Sequence, residues 1–322
     1  MQTKTTHPDL RPTPRQFILG NLCILTATLF FGVNIPVVKD LIPHWMSAMD
    51  VTVFRLAGGC VLMWLVSLFV RTTPIARGDW MRVILGGGLG MFSFIFLFNL
   101  SLRYGSPIDV SIIMTLPPVF IFLYNLIFRH RRSGTIEYIG VAVGLAGACL
   151  VIVAGGTSAK GGSDHLLGDL LAVASALCYA FYLIVLEGPS HTYRPVSLLR
   201  WVFLFASVPA LFLIPDFVKA PIFSAGTAEA WGLIGFVVLC PTFLAYFLLS
   251  PATKMIGSDM VSIYQYLVPV FATIGSVVMH LEVLKTVQAV AMAVIVGGMV
   301  LTEIGKRRHA ESGRTDGGAT SR

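Results

Sequence analysis

Apolar residues gather along this chain into ten blocks, at about 17–38, 48–70, 81–102, 107–128, 135–154, 169–187, 197–214, 230–249, 259–280 and 284–303. Each is close to the ~20 residues that a helix needs to cross the hydrocarbon core of a bilayer. Short polar segments separate the blocks, and neither the strict alternation of a half-buried strand nor a sustained polar helix face runs through them. The pattern predicts an all-α integral membrane protein with ten transmembrane helices. The first block is longer than the ~7–15 residues of a signal-peptide core and lacks a small-x-small cleavage site, so it is read as the first span.

The fourth and ninth blocks share a motif. Val110-Ser111-Ile112, Leu116 and Pro118-Val119-Phe120 return as Val261-Ser262-Ile263, Leu267 and Pro269-Val270-Phe271 at a constant spacing of 151 residues. Gly105-Ser106 before the fourth block resembles Gly257-Ser258 before the ninth, and Gly147 pairs with Gly298 at the same spacing as the proline motif. Such self-similarity predicts a duplicated unit. The expected organisation is a tail at 1–16, a first five-helix repeat at 17–154, an external linker at 155–168, a second five-helix repeat at 169–304 and a tail at 305–322. Five is odd, so the second unit enters the membrane from the opposite side and the repeats are inverted. Secondary transporters recurrently use that plan, with the substrate near the midplane between the halves.

Composition agrees with the membrane reading: 56% of residues are hydrophobic and 12% charged, against ~25% charged in soluble domains. The net charge of +7 sits in short clusters between apolar blocks and not along one face, so it speaks of topology rather than nucleic acid. Of the 23 Lys and Arg, Arg55 and Arg200 lie inside blocks, and the loops of one side hold sixteen against five on the other. Cytoplasmic loops carry the excess, which places both termini in the cytoplasm of a multi-pass protein of the inner (plasma) membrane. The five cysteines, Cys23, Cys60, Cys149, Cys178 and Cys240, lie in apolar blocks without paired spacing or companion histidines, so neither a disulfide framework nor a metal site is indicated. Gly86-Gly87-Gly88, Gly140, Gly144 and Gly297-Gly298 follow no strand and precede no Lys-Ser/Thr; they read as close helix contacts, not phosphate loops. No catalytic constellation is discernible. The expectation is a non-enzyme without cofactor, whose partners are a small-molecule substrate and the lipid bilayer, with no nucleic acid; the oligomeric state stays open.

Candidate site residues follow from what is costly in a membrane. Pro118 and Pro269 fall about halfway through a ~30 Å core, and each frees the carbonyl four residues earlier, on Met114 and Gln265. Backbone so exposed is tolerated only where it is packed in protein or lines a wet cavity. The two prolines are therefore hinge candidates, against the alternative of a packing kink. Polar side chains deep in spans usually face the bundle interior. Asn34, Asn99, Ser111, Thr115, Tyr179, Tyr182, Tyr246, Ser262, Tyr264 and Gln265, with Met114, are thus candidates for substrate contact. Ser and Thr also commonly bond their own helix. Arg55 and Arg200 occupy comparable places in the two halves, as gating residues or as side chains snorkelling to headgroups. Glu187, at the cytoplasmic end of the sixth block, is a candidate to titrate during transport against plain helix-end solvation, and Glu282, where the last helix begins, is explained by capping and dipole complementarity.

Tyr104-Gly105-Ser106 leading to Leu116-Pro117-Pro118, and Leu244-Ala245-Tyr246 through Ile256-Gly257-Ser258 to Leu267-Val268-Pro269-Val270-Phe271, resemble the EamA-type drug/metabolite transporter family. His280-Leu281-Glu282 and the Gly297-Gly298 span look like that family's ending, and the likeness runs from Phe17 to about Glu303. It implies a ten-helix fold and export of amino acids, other metabolites or xenobiotics from bacterial cells. Many members carry Glu directly before the ninth-span proline; here that position is Val268, and a proton-coupling role for that Glu does not carry over. The turn before the last span often reads Gly-Glu, where this chain has Leu281-Glu282. The functional expectation is a secondary transporter exporting a small amphipathic metabolite, such as an amino acid, by alternating access. The alternatives are a lipid flippase and a membrane-embedded transferase, the latter lacking clustered His, Asp or Glu at one interface.

Overall fold

The computed structural model describes residues 14–130, 134–156, 162–256 and 258–319, and these are helical with no strand among them. The helices are α1 (Pro14–His44), α2 (Ala48–Phe69), α3 (Arg77–Tyr104), α4 (Pro107–Ile127), α5 (Thr135–Gly156), α6 (Gly162–Thr192), α7 (Pro195–Leu213), α8 (Ala228–Ile256), α9 in two pieces (Ser258–Gln265 and Val268–Val278), and α10 (Thr286–Ala319). Among the described residues, nine helices are long and apolar enough to cross a membrane, while the apolar part of α9, Ile263–Val278, is shorter. Among the described residues the ten blocks thus become nine helices of spanning length, of which α4 is broken between Ile113 and Pro117, and one shorter helix, α9, that is also broken. Hydropathy marks only the apolar middle of each helix, and polar ends continue it: α6 starts at Gly162, inside the expected linker. Residues 157–161 of that linker, Gly257, and the tail residues 1–13 and 320–322 lie outside the described residues.

Local chemistry sets the ends. Proline occupies the first turn of α4 and α7, where a missing N–H is no loss. Ser47, Ser106 and Thr227 cap α2, α4 and α8 by accepting from the backbone three residues on. At the end of α9 the left-handed residue is His280, φ 55°, in the turn where the family resemblance leads one to expect glycine next to Glu282.

The breaks in α4 and α9 share one hydrogen-bond pattern. Thr115 N donates to Ile112 O (3.1 Å) and Leu116 N to Ile113 O (3.0 Å), while Tyr266 N donates to Ile263 O (3.2 Å) and Leu267 N to Tyr264 O (3.0 Å). Each bond recurs 151 residues later, and each break closes with a tighter i→i−3 turn before the proline-led second half begins. α3 and α8 each contain a π-helical stretch, at Leu85–Met91 and Val238–Leu244. Glycines fill the first. The second contains Pro241, which removes a helical donor.

Packing pairs α1 with α8 and α9, α6 with α3 and α4, α2 with α7, and α5 with α10. The α5–α10 contact is backbone on backbone: a Cβ on Gly298 would stand 2.5 Å from Gly144 N and 2.7 Å from Gly140 O. Small residues permit that approach where lipid offers no hydrophobic drive to association. Loop contacts sort into two ends. At one, here the linker end, Ile222 N donates to Trp45 O and Lys39 Nζ to Gly105 O. At the other, the terminus end, Thr73 N donates to Ser197 Oγ, and Arg129 pairs with Glu187 at 2.6 Å. Glu187 is therefore an exposed ion-pair partner.

Candidate functional site

Arg55 is the centre of the polar interior. Ser47 and Asp50 form a reciprocal capping box that starts α2, and Arg55 follows two turns later, only 4% exposed. Its Nε donates to Thr242 Oγ1 at 3.1 Å, and its Nη1 lies 3.5 Å from Asn99 Oδ1. Asn99 Nδ2 donates in turn to Thr52 Oγ1 at 2.9 Å, which fixes the amide with its oxygen toward the guanidinium. Thr242 Oγ1 donates to Val237 O, five residues back across the π-helical stretch of α8, and so presents a lone pair to Arg55. The Phe98 ring lies 5.7 Å from the guanidinium carbon. Side chains of α2, α3 and α8 thus orient one cation using neutral acceptors and an aromatic face. The snorkelling reading does not hold for Arg55, because the side chain turns inward to α3 and α8.

Three tyrosines adjoin this centre. Tyr246, one turn beyond Thr242, meets Phe31 edge-on at 5.7 Å and Phe203 at 6.2 Å. Tyr179 and Tyr182 of α6 stack at 5.9 Å, and Tyr179 lies 4.7 Å from Phe94. Tyr246 is within electrostatic reach of Arg55, Tyr179 and Tyr182. Tyr182 and Tyr246 share one apolar cluster with Phe31, Phe94 and Phe203. A guanidinium beside phenol and phenyl walls can hold an anionic group next to an apolar one.

Ser111 and Thr115 are buried and donate to Ile108 O and Ile112 O of their own helix, at 2.7 Å each. Met114 and Gln265 are half-buried at the two breaks; Pro118 is exposed whereas Pro269 is buried. Tyr264 donates to Asn21 Oδ1 at 2.8 Å, tying α9 to α1 near the terminus end. Asn34 is buried on α1, and its Oδ1 has no protein partner. Arg200 stands apart from Arg55: its guanidinium lies over Trp64 and Trp201, at 5.2 and 5.4 Å, and its Nε is buried without a partner. The side chain of Ser262 lies outside the described residues. Sequence reasoning missed Thr52, Phe98 and Thr242, which carry no local signal beyond being polar or aromatic in apolar blocks. It also explained Glu282 by capping and dipole complementarity at the start of the last helix. Glu282 instead precedes α10 and accepts from Ser106 Oγ and Ile108 N of the α4 start.

Residues 18–153 and 166–304 match the EamA-like transporter family. The chain belongs to that family. Relatives include an uncharacterized transporter, YyaM, of Bacillus subtilis (strain 168), 23% identical over 88% of this chain and 93% of its own length. The aromatic amino acid exporter YddG of Ancylobacter novellus is 21% identical over 73% of this chain and 79% of its own. A solved crystal structure superposes with a TM-score of 0.60 at 20% identity, over 89% of this chain and 97% of that one, and shares the fold. With membership in a transporter family, a small-molecule substrate and a membrane setting become the frame for the Arg55 centre.

Proposed function

We propose that the protein is a secondary transporter that exports a small amphipathic metabolite, an amino acid or related organic acid, across the cell membrane by alternating access. In this reading the helices act as two inverted five-helix units, α1–α5 and α6–α10, and the substrate lies between them with its carboxylate on Arg55 and its apolar part among Tyr179, Tyr182 and Tyr246. One observation carries the reading: a cation buried inside the helix bundle whose direct partners are all neutral. Burying a charge is expensive unless an opposite charge meets it, and a substrate carboxylate supplies one. The two-part family match, the hydrogen bonds repeated at 151 residues and the π-helical stretches of α3 and α8 support the inverted units. The named activity of YddG supports the substrate class, at low identity.

The test is counterflow in proteoliposomes with a panel of labelled amino acids, each paired with its decarboxylated amine. Uptake of acids and not of the matching amines is the expected result; equal handling of both would remove the carboxylate anchor. A second reading, lipid translocation, is favoured by an apolar groove lined by Val53, Phe54, Gly58, Phe217, Val218 and Val238 beside α2 and α8. Fluorescent lipid scrambling in the same vesicles, without solute counterflow, would select it.

A further inference from the structure

At the linker end, side chains from three separate stretches of chain, 106–109, 169 and 282–288, gather around the start of α4. Ser106 Oγ caps α4 by accepting from Asp109 N and donates to Glu282 Oε2, which also accepts from Ile108 N. Gln288 of α10 divides its amide nitrogen between Asp109 Oδ1 (2.9 Å) and Glu282 Oε1 (2.8 Å). Its Oε1 accepts from Lys285 N. Every donor in this brace is thus committed.

Asp169 of α6 stands beside the brace and outside it. The residue is 0% exposed, and neither carboxylate oxygen has a partner. Next to it, Gly168 packs on Gly105 and Tyr104 so closely that a side chain there would overlap the Gly105 backbone. The charged groups that act on Asp169 are Asp109 of α4 and Glu282 of the α9–α10 turn, both acidic. Lys285 of that turn and His165 of α6 act on Asp109. Lys39 of α1 reaches Glu282 electrostatically, but its ammonium donates to Leu102 O and Gly105 O, at 2.8 Å each. Among the described residues no three His, Cys, Asp or Glu side chains converge to hold a metal ion.

A carboxylate with no donor and no cation, facing two more carboxylates, is a far costlier buried species than the neutral acid. We propose that Asp169 and Asp109 form a proton-binding site: a hydronium ion from the solution at the linker end gives its proton to an Asp169 carboxylate oxygen, leaving water, and the reverse step returns it. The proton cancels the charge that Asp169 on α6 would otherwise set against Asp109 on α4. Occupancy by a proton then favours the close contact of Gly168 with Gly105 in the α3–α4 turn, and its loss loosens α6 from that turn. This site is remote in sequence from the Arg55 centre and does not rest on the transport reading.

The experiment is infrared difference spectroscopy of the purified full chain in lipid nanodiscs, titrated with pH and without substrate. The expected result is a protonated-carboxyl C=O band that titrates in the native protein and vanishes in Asp169→Asn. Persistence of the same band in that variant overturns the proposal. Asp109→Asn removes the neighbouring negative charge, so the band should remain and its midpoint should fall by about one pH unit or more. A midpoint that does not move overturns the pairing, and this second variant decides the matter if Asp169→Asn fails to fold. Because no substrate is present, failure here leaves the transporter reading intact, and failure of counterflow leaves this one intact.

Discussion

At the scale of single residues, the contrast between Arg55 and Arg200 is the most instructive feature. Both are arginines inside apolar blocks, yet one is held by Thr242 and Asn99 in the interior and the other lies over two tryptophan rings. Cation–π contact of the Arg200 kind is worth roughly 0.5–2 kcal/mol, and it leaves Nε buried without a partner. Arg55 is nearly completely buried, and in the proposed function its remaining capacity takes the substrate carboxylate. Arg55→Gln should therefore weaken binding of the best-transported amino acid by roughly 2–5 kcal/mol, measured as the half-saturation of counterflow, with melting temperature in detergent close to native. Arg55→Lys should recover part of that loss, since it restores charge without the planar fork. Equal transport by Arg55→Gln and the native protein would return Arg55 to a structural role. Thr242→Val leaves the charge and removes only the acceptor that aims it. A smaller loss, about 0.5–1.5 kcal/mol, is expected in the same assay.

At the scale of elements, helix contacts depend on which side of a helix faces its neighbour. Gly297 and Gly298 are adjacent in α10, yet a Cβ on Gly297 meets nothing within 4 Å while one on Gly298 runs into the backbone of α5. Gly298→Leu should thus destabilise the protein by at least the ~1–3 kcal/mol typical of overpacking, read as a lowered melting temperature in detergent. Gly297→Leu should leave the melt within experimental scatter. The same fall in both variants would mean that helix propensity, and not the α5–α10 contact, governs this pair. The proline breaks belong to this scale too. They were legible in sequence because proline removes a donor wherever it stands, and the structure adds that the i→i−3 bonds close both breaks in the same way.

At the scale of the whole molecule, the contacts at the two ends assign Ser224 to the linker end and Arg77 to the terminus end, both exposed. With the five native cysteines replaced, Ser224→Cys should react with an impermeant maleimide added to intact cells, and Arg77→Cys only after the membrane is opened. The reverse pattern would overturn the orientation drawn from the basic residues. The chain by itself determined its membrane class, its ten apolar blocks, both helix breaks and the repeat at 151 residues. These depend on hydropathy, donor loss and spacing, which are properties of neighbours in sequence. It also singled out Arg55, Asn99, Tyr179, Tyr182 and Tyr246 as costly residues for a membrane interior. It did not bring them together, nor set Ser111, Thr115 and Tyr264 apart from them. Helices that are apolar nearly all round carry no face signal, so only packing turns Arg55 inward and lays Arg200 on tryptophan. Asp109, Asp169 and the pair Glu282 and Gln288 come from three stretches of chain, and each alone reads as an ordinary helix-end residue. Their convergence was decided by the tertiary structure, because buried electrostatics depends on distance in space and burial, and neither is written in the order of residues.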